Sequence, residues 1–265
     1  MNAPKRIVCL CPSLTELVFR LGAEQLLVGI TRYCIHPAEG VAEIEKVGGT
    51  KDPDLDRIRE LEPDLVLLNR EENRLEDAEI LAEAGLTCHS SDPRTVAQAV
   101  ATVRDLGEIV GRSSAAESLA RSIEEADEKV VGTASQRDPV SFAYLIWRKP
   151  WMTANASTYI HDLLTRTGGK NVFASFTERY PIVTEEALAR ANPDLILLSS
   201  EPFPFTQEHA DELARSTGLD RDRFQLVDGE LLSWHGSRTL EGLSYAGSLL
   251  HSSSSTPRPS TTRLA

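Results

Sequence analysis

One stretch of this sequence occurs twice. Leu55-Asp-Arg-Ile-Arg-Glu-Leu-Glu-Pro-Asp-Leu-Val-Leu-Leu-Asn69 and Glu185-Glu-Ala-Leu-Ala-Arg-Ala-Asn-Pro-Asp-Leu-Ile-Leu-Leu-Ser199 each read as a short helix, a Pro-Asp corner and a fully apolar strand. Pro63 and Pro193 stand 130 positions apart. Between the copies lies Ser114–Val130, where Ala115, Leu119, Ile123, Ala126 and Val130 recur at spacings of three and four. That period predicts a helix with one apolar face, about 25 Å long. Two like halves flanking a long polar helix predict two lobes joined by a strut.

The boundaries expected are an N-terminal α/β lobe over 1–112, a linking helix over 113–133 and a C-terminal α/β lobe over 134–250. A low-complexity tail over 251–265, rich in Ser, Thr and Pro, is expected to be disordered. Each lobe, at roughly 110 to 130 residues, is large enough to bury its own core.

Of the 265 residues, 41% are hydrophobic and 26% charged, and the net charge is −12. An excess of carboxylates argues against nucleic acid as a partner, because phosphate binding needs clustered Lys and Arg. The start Met1-Asn-Ala-Pro-Lys-Arg runs straight into the strand Ile7-Val-Cys-Leu10, with no apolar leader segment. As written the chain is expected in the cytoplasm; with a leader missing, it would be periplasmic or at the cell surface. Cys9, Cys11, Cys34 and Cys88 have neither metal-ligand spacing nor the density of a disulfide scaffold, and read as buried thiols.

Strands and helices alternate through both halves, which predicts largely parallel sheets with ligands beyond the carboxyl ends of the strands. If the lobes face one another across the strut, the loops after the strands line one cleft. Those loops carry Arg32, Tyr33, Arg70, Arg148, Trp151, Tyr180, Phe203, Trp234, His235 and Arg238. Aromatic rings give flat apolar contact and arginine gives forked donors, a mixture suited to a large, partly flat, anionic ligand. Ser13 and Glu16 read as a capping box rather than as catalytic groups. No catalytic constellation and no protein-held metal site is expected. Of His36, His89, His161 and His235, His235 beside Trp234 is the best candidate to meet a ligand's metal centre or to donate a hydrogen bond.

Four segments carry a resemblance: Arg6-Ile-Val-Cys-Leu-Cys-Pro-Ser-Leu-Thr-Glu-Leu17, Leu55–Leu68, Trp151-Met-Thr-Ala-Asn-Ala-Ser-Thr-Tyr-Ile160 and Thr167-Gly-Gly-Lys-Asn-Val-Phe173. In type and order they resemble the class III (helical-backbone) substrate-binding proteins of ABC importers, which receive cobalamin, haem and ferric siderophores. The cobalamin-binding branch is the most similar. The resemblance implies two α/β lobes joined by a rigid helix, capture of the ligand in the cleft, and docking on a membrane permease. Docking in that family uses an acidic side chain on each lobe; here Glu71, Glu72 or Glu76 serves the first and Glu201 or Glu208 the second.

The expectation is therefore a monomeric binding protein, not an enzyme and without a covalent cofactor. Cobalamin or a ferric chelate is its transported ligand and an ABC permease its partner. The alternatives are a receptor for bare metal ions such as zinc, using His and Cys, and an enzyme that handles a tetrapyrrole.

Overall fold

The computed structural model describes residues 3–252, and the expected tail from residue 253 on lies outside the described residues. The described residues form two compact units. One takes those up to Glu125 together with Trp234–Leu240; the other takes Ala126–Ser233 together with those from Glu241.

In the first unit the elements run β1 (Ile7–Cys9), α1 (Pro12–Arg20), β2 (Leu27–Ile30), α2 (Ala38–Val41), α3 (Leu55–Glu60), β3 (Leu65–Asn69), α4 (Leu75–Glu83), β4 (Cys88–Ser91) and α5 (Val96–Ile109). The sheet has the order β2-β1-β3-β4, and every pairing in it is parallel. A parallel strand covered on both faces needs apolar residues throughout. The run Leu65-Val-Leu-Leu68 supplies them, and all four are buried.

Helix α6 (Ser113–Ala134) carries the chain across the division, which falls between Glu125 and Ala126. Its buried face is Ala116, Leu119, Ala120 and Ile123. Ala115, expected on that face, is exposed. The reason is packing against α5: a Cβ built on Gly107 would lie only 2.1 Å from Ala116 Cβ, so the helices touch through these two small residues.

The second unit holds β5 (Val140–Trp147), β6 (Met152–Thr153), α7 (Tyr159–Arg166), β7 (Gly169–Asn171), α8 (Glu185–Ala191), β8 (Leu195–Ser199), α9 (Gln207–Thr217), β9 (Phe224–Val227) and α10 (Gly229–Ser233). The last helix, α11, runs Thr239–Ser252. The sheet order is β6-β5-β8-β9, with β7 also on β5; only β6 is antiparallel.

The repeat has one physical meaning in both units. Ile58 and Leu188, from the two repeat helices, belong to the cores that also hold Val66 and Leu68 in one unit and Ile196 and Leu198 in the other. The Pro-Asp corner ties the strand to its neighbour. Asp64 Oδ2 accepts from the backbone N–H of Lys5 at 2.7 Å and of Arg6 at 3.0 Å, just ahead of β1. Asp194 Oδ2 accepts from the Ser141 N–H at 2.9 Å and its hydroxyl at 2.7 Å, within β5.

The capping box expected at Ser13 and Glu16 does not form. Pro12 occupies the first helical turn, Cys11 is the N-cap, and no side chain caps the helix. Proline already lacks one of the N–H groups a cap would satisfy. Ser13 Oγ instead lies 3.3 Å from Cys11 Sγ, and Glu16 is free for another partner. The four cysteines are free thiols; three are buried and Cys88 is half-buried. Burial pushes the Cys9 thiol up to about 12, with Cys34 adding to the shift.

Candidate functional site

At the carboxyl end of β3 a set of buried amides fastens several loops of the first unit. Asn73 Oδ1 accepts from the Asn69 N–H at 2.8 Å, and Asn73 Nδ2 donates to Leu10 O at 2.9 Å and Thr50 O at 3.1 Å. Asn69 Oδ1 accepts from the N–H of Glu71 at 2.9 Å and of Glu72 at 3.3 Å. That leaves Asn69 Nδ2 as the donor to Ser91 Oγ at 3.2 Å and to His235 Nε2 at 3.1 Å.

His235 is therefore a buried acceptor. Its Nε2 lone pair is engaged by Asn69, so the ring proton sits on Nδ1. Burial lowers its pKa to about 4, with Asp92 opposing the shift. In this structure the His235 side chain is a buried anchor, 5% exposed, with Nε2 turned to Asn69. Gly236 follows at φ +90, and a Cβ there would lie 3.2 Å from Leu17 Cδ2, so glycine suits this turn against α1.

The anchor fixes a ladder of side chains. Arg238 Nε donates to Glu16 Oε2 at 2.7 Å, and the guanidinium carbon lies 4.9 Å from the centre of the Trp234 ring. His36 meets the Trp234 ring edge-on, with centroids 5.8 Å apart. Trp234, His235 and Arg238 thus belong with the first unit, although the chain on either side of them belongs to the second.

The loop after β2 carries Arg32 and Tyr33. Arg32 N donates to Gly48 O at 2.8 Å, which lays this loop beside the glycine-rich segment. Its guanidinium reaches both oxygens of Asp52, at 2.9 and 2.8 Å, and lies 5.0 Å over the Tyr33 ring. Tyr33 is 51% exposed. Arg70 is exposed too, and its guanidinium has neither a hydrogen bond nor an ion pair among the described residues.

In the second unit the loops after β5 and β8 bring aromatic rings together. Trp147 and Phe203 meet edge-on at 5.7 Å, Phe203 and Phe205 at 4.8 Å, and Trp151 stacks on Phe205 at 5.9 Å. His209 adds a further edge to both phenylalanines. Arg148 lies over Trp151 at 5.8 Å and donates to both oxygens of Glu212, at 2.7 and 2.5 Å. That arginine holds the Glu212 carboxyl below its usual range. Trp151 Nε1 donates to Glu185 Oε1 at 3.1 Å. Tyr180 is half-buried on a loop whose Pro181 O accepts from Thr153 N at 3.0 Å. Leu198, Ser200, Phe205, Leu226, Val227 and Asp228 line an open hollow of about 280 Å³.

The five glutamates occupy two kinds of place. Glu76 and Glu208 are exposed in the first turns of α4 and α9, and Glu72 is also exposed. Glu71 and Glu201 stand at equivalent turns, each two residues beyond its repeat strand. The Glu71 N–H donates to Asn69 Oδ1, and the Glu201 N–H donates to Ser199 Oγ at 3.3 Å. Glu201 Oε1 also accepts from Ser233 Oγ at 2.8 Å.

Sequence reasoning missed Asn69, Asn73, Glu16, Asp52 and Glu212. The repeat held a signal for the first: the position that closes the apolar strand is a small polar residue in both copies, Asn69 and Ser199. Among the described residues no three His, Cys, Asp or Glu side chains are grouped to hold a metal ion. No described helix is long and apolar enough to cross a membrane.

The family model described as periplasmic binding protein matches residues 7–221. An uncharacterised ABC transporter substrate-binding lipoprotein of Bacillus subtilis is 27% identical over 247 residues, covering 91% of this chain and 78% of that one. The vitamin B12-binding protein of Vibrio campbellii is 28% identical over 204 residues, 75% of this chain and 72% of its own. In fold, the chain is similar to the periplasmic vitamin B12-binding protein of Vibrio cholerae, with a TM-score of 0.82 at 20% identity over 95% of this chain and 98% of that one. It is also similar to a periplasmic haem-binding protein of Pseudomonas aeruginosa, with a TM-score of 0.80 at 21% identity over 94% and 93%.

Proposed function

The chain belongs to the periplasmic binding protein family, and from that membership we propose that it captures a corrinoid or an iron chelate and delivers it to an ABC permease. The observation that carries the reading is the family match through residues 7–221. Relatives whose names state vitamin B12 binding support the corrinoid in particular. The aromatic edges fit this cargo: Trp234 in the first unit and Trp147 with Phe203 in the second offer flat apolar contact to a macrocycle. Arg32, Tyr33, Arg70, Arg148, Trp151, Tyr180 and Arg238 complete the proposed contacts.

Location outside the cytoplasm goes with this reading. The cytoplasmic expectation finds no support among relatives described as a lipoprotein or as periplasmic. The protein acts as a monomeric carrier and catalyses no reaction. Of the five docking glutamates expected, Glu71 and Glu201 are the proposed pair, because each stands two residues beyond its repeat strand with its N–H held by the residue that closes that strand.

Cyanocobalamin, haemin, a ferric siderophore and zinc are added in turn to the purified protein, and Trp fluorescence and Tm are followed. A chelate at about a hundred times its Kd adds about 2.7 kcal/mol, a rise in Tm of about 5 °C or more. A response to zinc alone rejects the reading in favour of a bare-metal receptor, and turnover of a bound tetrapyrrole would make the protein an enzyme. Replacing Glu71 and Glu201 together by Ala is expected to abolish uptake through a reconstituted permease while leaving Kd unchanged.

A further inference from the structure

The pattern Thr-x-x-His occurs twice in the second unit, each time where a helix begins: Thr158-Tyr-Ile-His161 at α7 and Thr206-Gln-Glu-His209 at α9. In a capping box the third helical residue reaches back to the backbone N–H of the N-cap, a task that usually falls to Glu or Gln. His161 is turned elsewhere, with its Nδ1 3.3 Å from Asn171 Nδ2. His209 does reach back. The Thr206 N–H donates to His209 Nδ1 at 3.0 Å, and the Thr206 hydroxyl lies 3.1 Å from the same nitrogen. A backbone N–H can only donate, so Nδ1 is the acceptor and His209 is neutral, with its proton on Nε2.

The same ring is half-buried in the aromatic cluster, edge-on to Phe203 at 5.2 Å and to Phe205 at 5.8 Å. Phe203 in turn meets Trp147, and Phe205 stacks on Trp151. Three residues along α9, on the same face, stands Glu212. Arg148 grips that carboxylate through Nη2 alone, and Arg148 Nε is buried with no hydrogen-bond partner among the described residues. A grip through one nitrogen lacks the geometry of the two-nitrogen fork. Arg148 also lies over Trp151. The Glu212 carboxyl is lowered first by Arg148, and further by His209 and by the exposed Lys149. The remaining charges around His209 are the exposed Glu208, Asp211 paired with Arg221, and Glu185, which accepts from Trp151 Nε1. A proton on Nδ1 would set a donor against the Thr206 N–H and a cation at the N-terminus of α9, where the helix dipole opposes it. It would also offer Glu212 a second cation.

We infer that His209 is a pH-responsive positioning residue for the aromatic cluster of the second unit. Neutral, it caps α9 and seats Phe203 and Phe205. Protonated, it leaves the Thr206 N–H and turns to Glu212, which loosens Arg148 from Trp151. The effect on the rings stands on the second unit by itself. Its consequence for cargo rests on the proposed function: Trp147 with Phe203 is a proposed flat contact, so the cargo is held less tightly in acid.

The test follows Trp fluorescence of the ligand-free full chain between about pH 7.5 and about pH 5, the range in which an ordinary imidazole changes charge. His235 titrates below it, near 4. The natural chain is compared with His209→Gln and His209→Ala, and melting curves check that each variant is folded. Glutamine supplies the acceptor of a capping box and takes no proton. The natural chain is expected to show a titration that His209→Gln lacks, and His209→Ala to show the acid spectrum throughout. His36, beside Trp234, is present in all three chains, so its own signal is common to them. Kd for cyanocobalamin is expected to weaken about tenfold from the higher pH to the lower in the natural chain, and less than about twofold in His209→Gln. Identical pH responses of the natural chain and His209→Gln overturn the inference, as does a His209→Ala protein that keeps the neutral spectrum. A natural-chain Kd that is the same at both pH values overturns its consequence for cargo. Cyanocobalamin that binds at neither pH, beside the expected fluorescence titration, rejects the corrinoid and leaves the role of His209 standing.

Discussion

The two units close their repeat strand with different chemistry. At the end of β3, Asn69 engages four partners: two backbone N–H groups, Ser91 and His235. At the end of β8, Ser199 meets the Tyr144 hydroxyl at 2.9 Å and the Glu201 N–H at 3.3 Å. The serine network joins two neighbouring strands of one sheet, while the asparagine network reaches 166 residues along the chain. A side-chain amide has separate donor and acceptor ends, so it can orient a turn and hold a distant imidazole together. A hydroxyl is too short and has one proton to give. The same strand, ended by a different residue, anchors a remote segment in one unit and only its neighbour in the other.

The sharpest way to break that comparison is acid. His235 is held neutral in the fold, with a pKa near 4 against 6.5 for the free side chain. The folded state binds fewer protons, so its contribution is complete above about 6.5 and is lost as pH falls toward 4. The loss is roughly 3 kcal/mol by pH 4. His161, half-buried in the second unit, is shifted in the same direction by desolvation. Urea denaturation between pH 7 and pH 4 is expected to show a steeper loss for the natural chain than for His235→Gln. Parallel curves would remove His235 from its role as anchor.

Next in size are the two strand-end residues themselves. Asn69→Ala leaves Ser91, His235 and two N–H groups without their partner and is expected to cost about 3 kcal/mol. Ser199→Ala leaves chiefly the buried Tyr144 hydroxyl, at about 1 kcal/mol. Urea midpoints at pH 7 decide the order, and equal losses would mean that the two networks are interchangeable. Smallest are the Pro-Asp corners, where the comparison predicts sameness. Asp64→Asn and Asp194→Asn should each lower Tm by about 2 °C, measured by calorimetry. A large difference between them would show that the corners, too, have diverged.

Much of the fold was legible because it depends on local pattern. Leu65–Leu68 and Leu195–Leu198 had to be buried strands, and Pro63 and Pro193 had to precede them. The site was legible only by residue type. Arginines and aromatic rings after strands were visible in the sequence, but Glu16, Asp52 and Glu212 were not, because a carboxylate 222, 20 or 64 positions from its arginine leaves no periodic trace. The capping box at Ser13 and Glu16 had the right spacing and failed, because Pro12 moved the helix start and Arg238 claimed the glutamate.

By itself the sequence determined the repeated strand and corner, the alternation of helices and strands, and the long helix in the middle, since each follows from hydrophobic period and backbone stereochemistry within a few residues. Only the tertiary structure decided that Trp234, His235 and Arg238 join the first unit, that His235 is an anchor, and that Arg32, Arg148 and Arg238 each meet a carboxylate distant in the chain. Those outcomes depend on which distant side chains come within hydrogen-bonding distance, and that is a property of the folded chain in three dimensions.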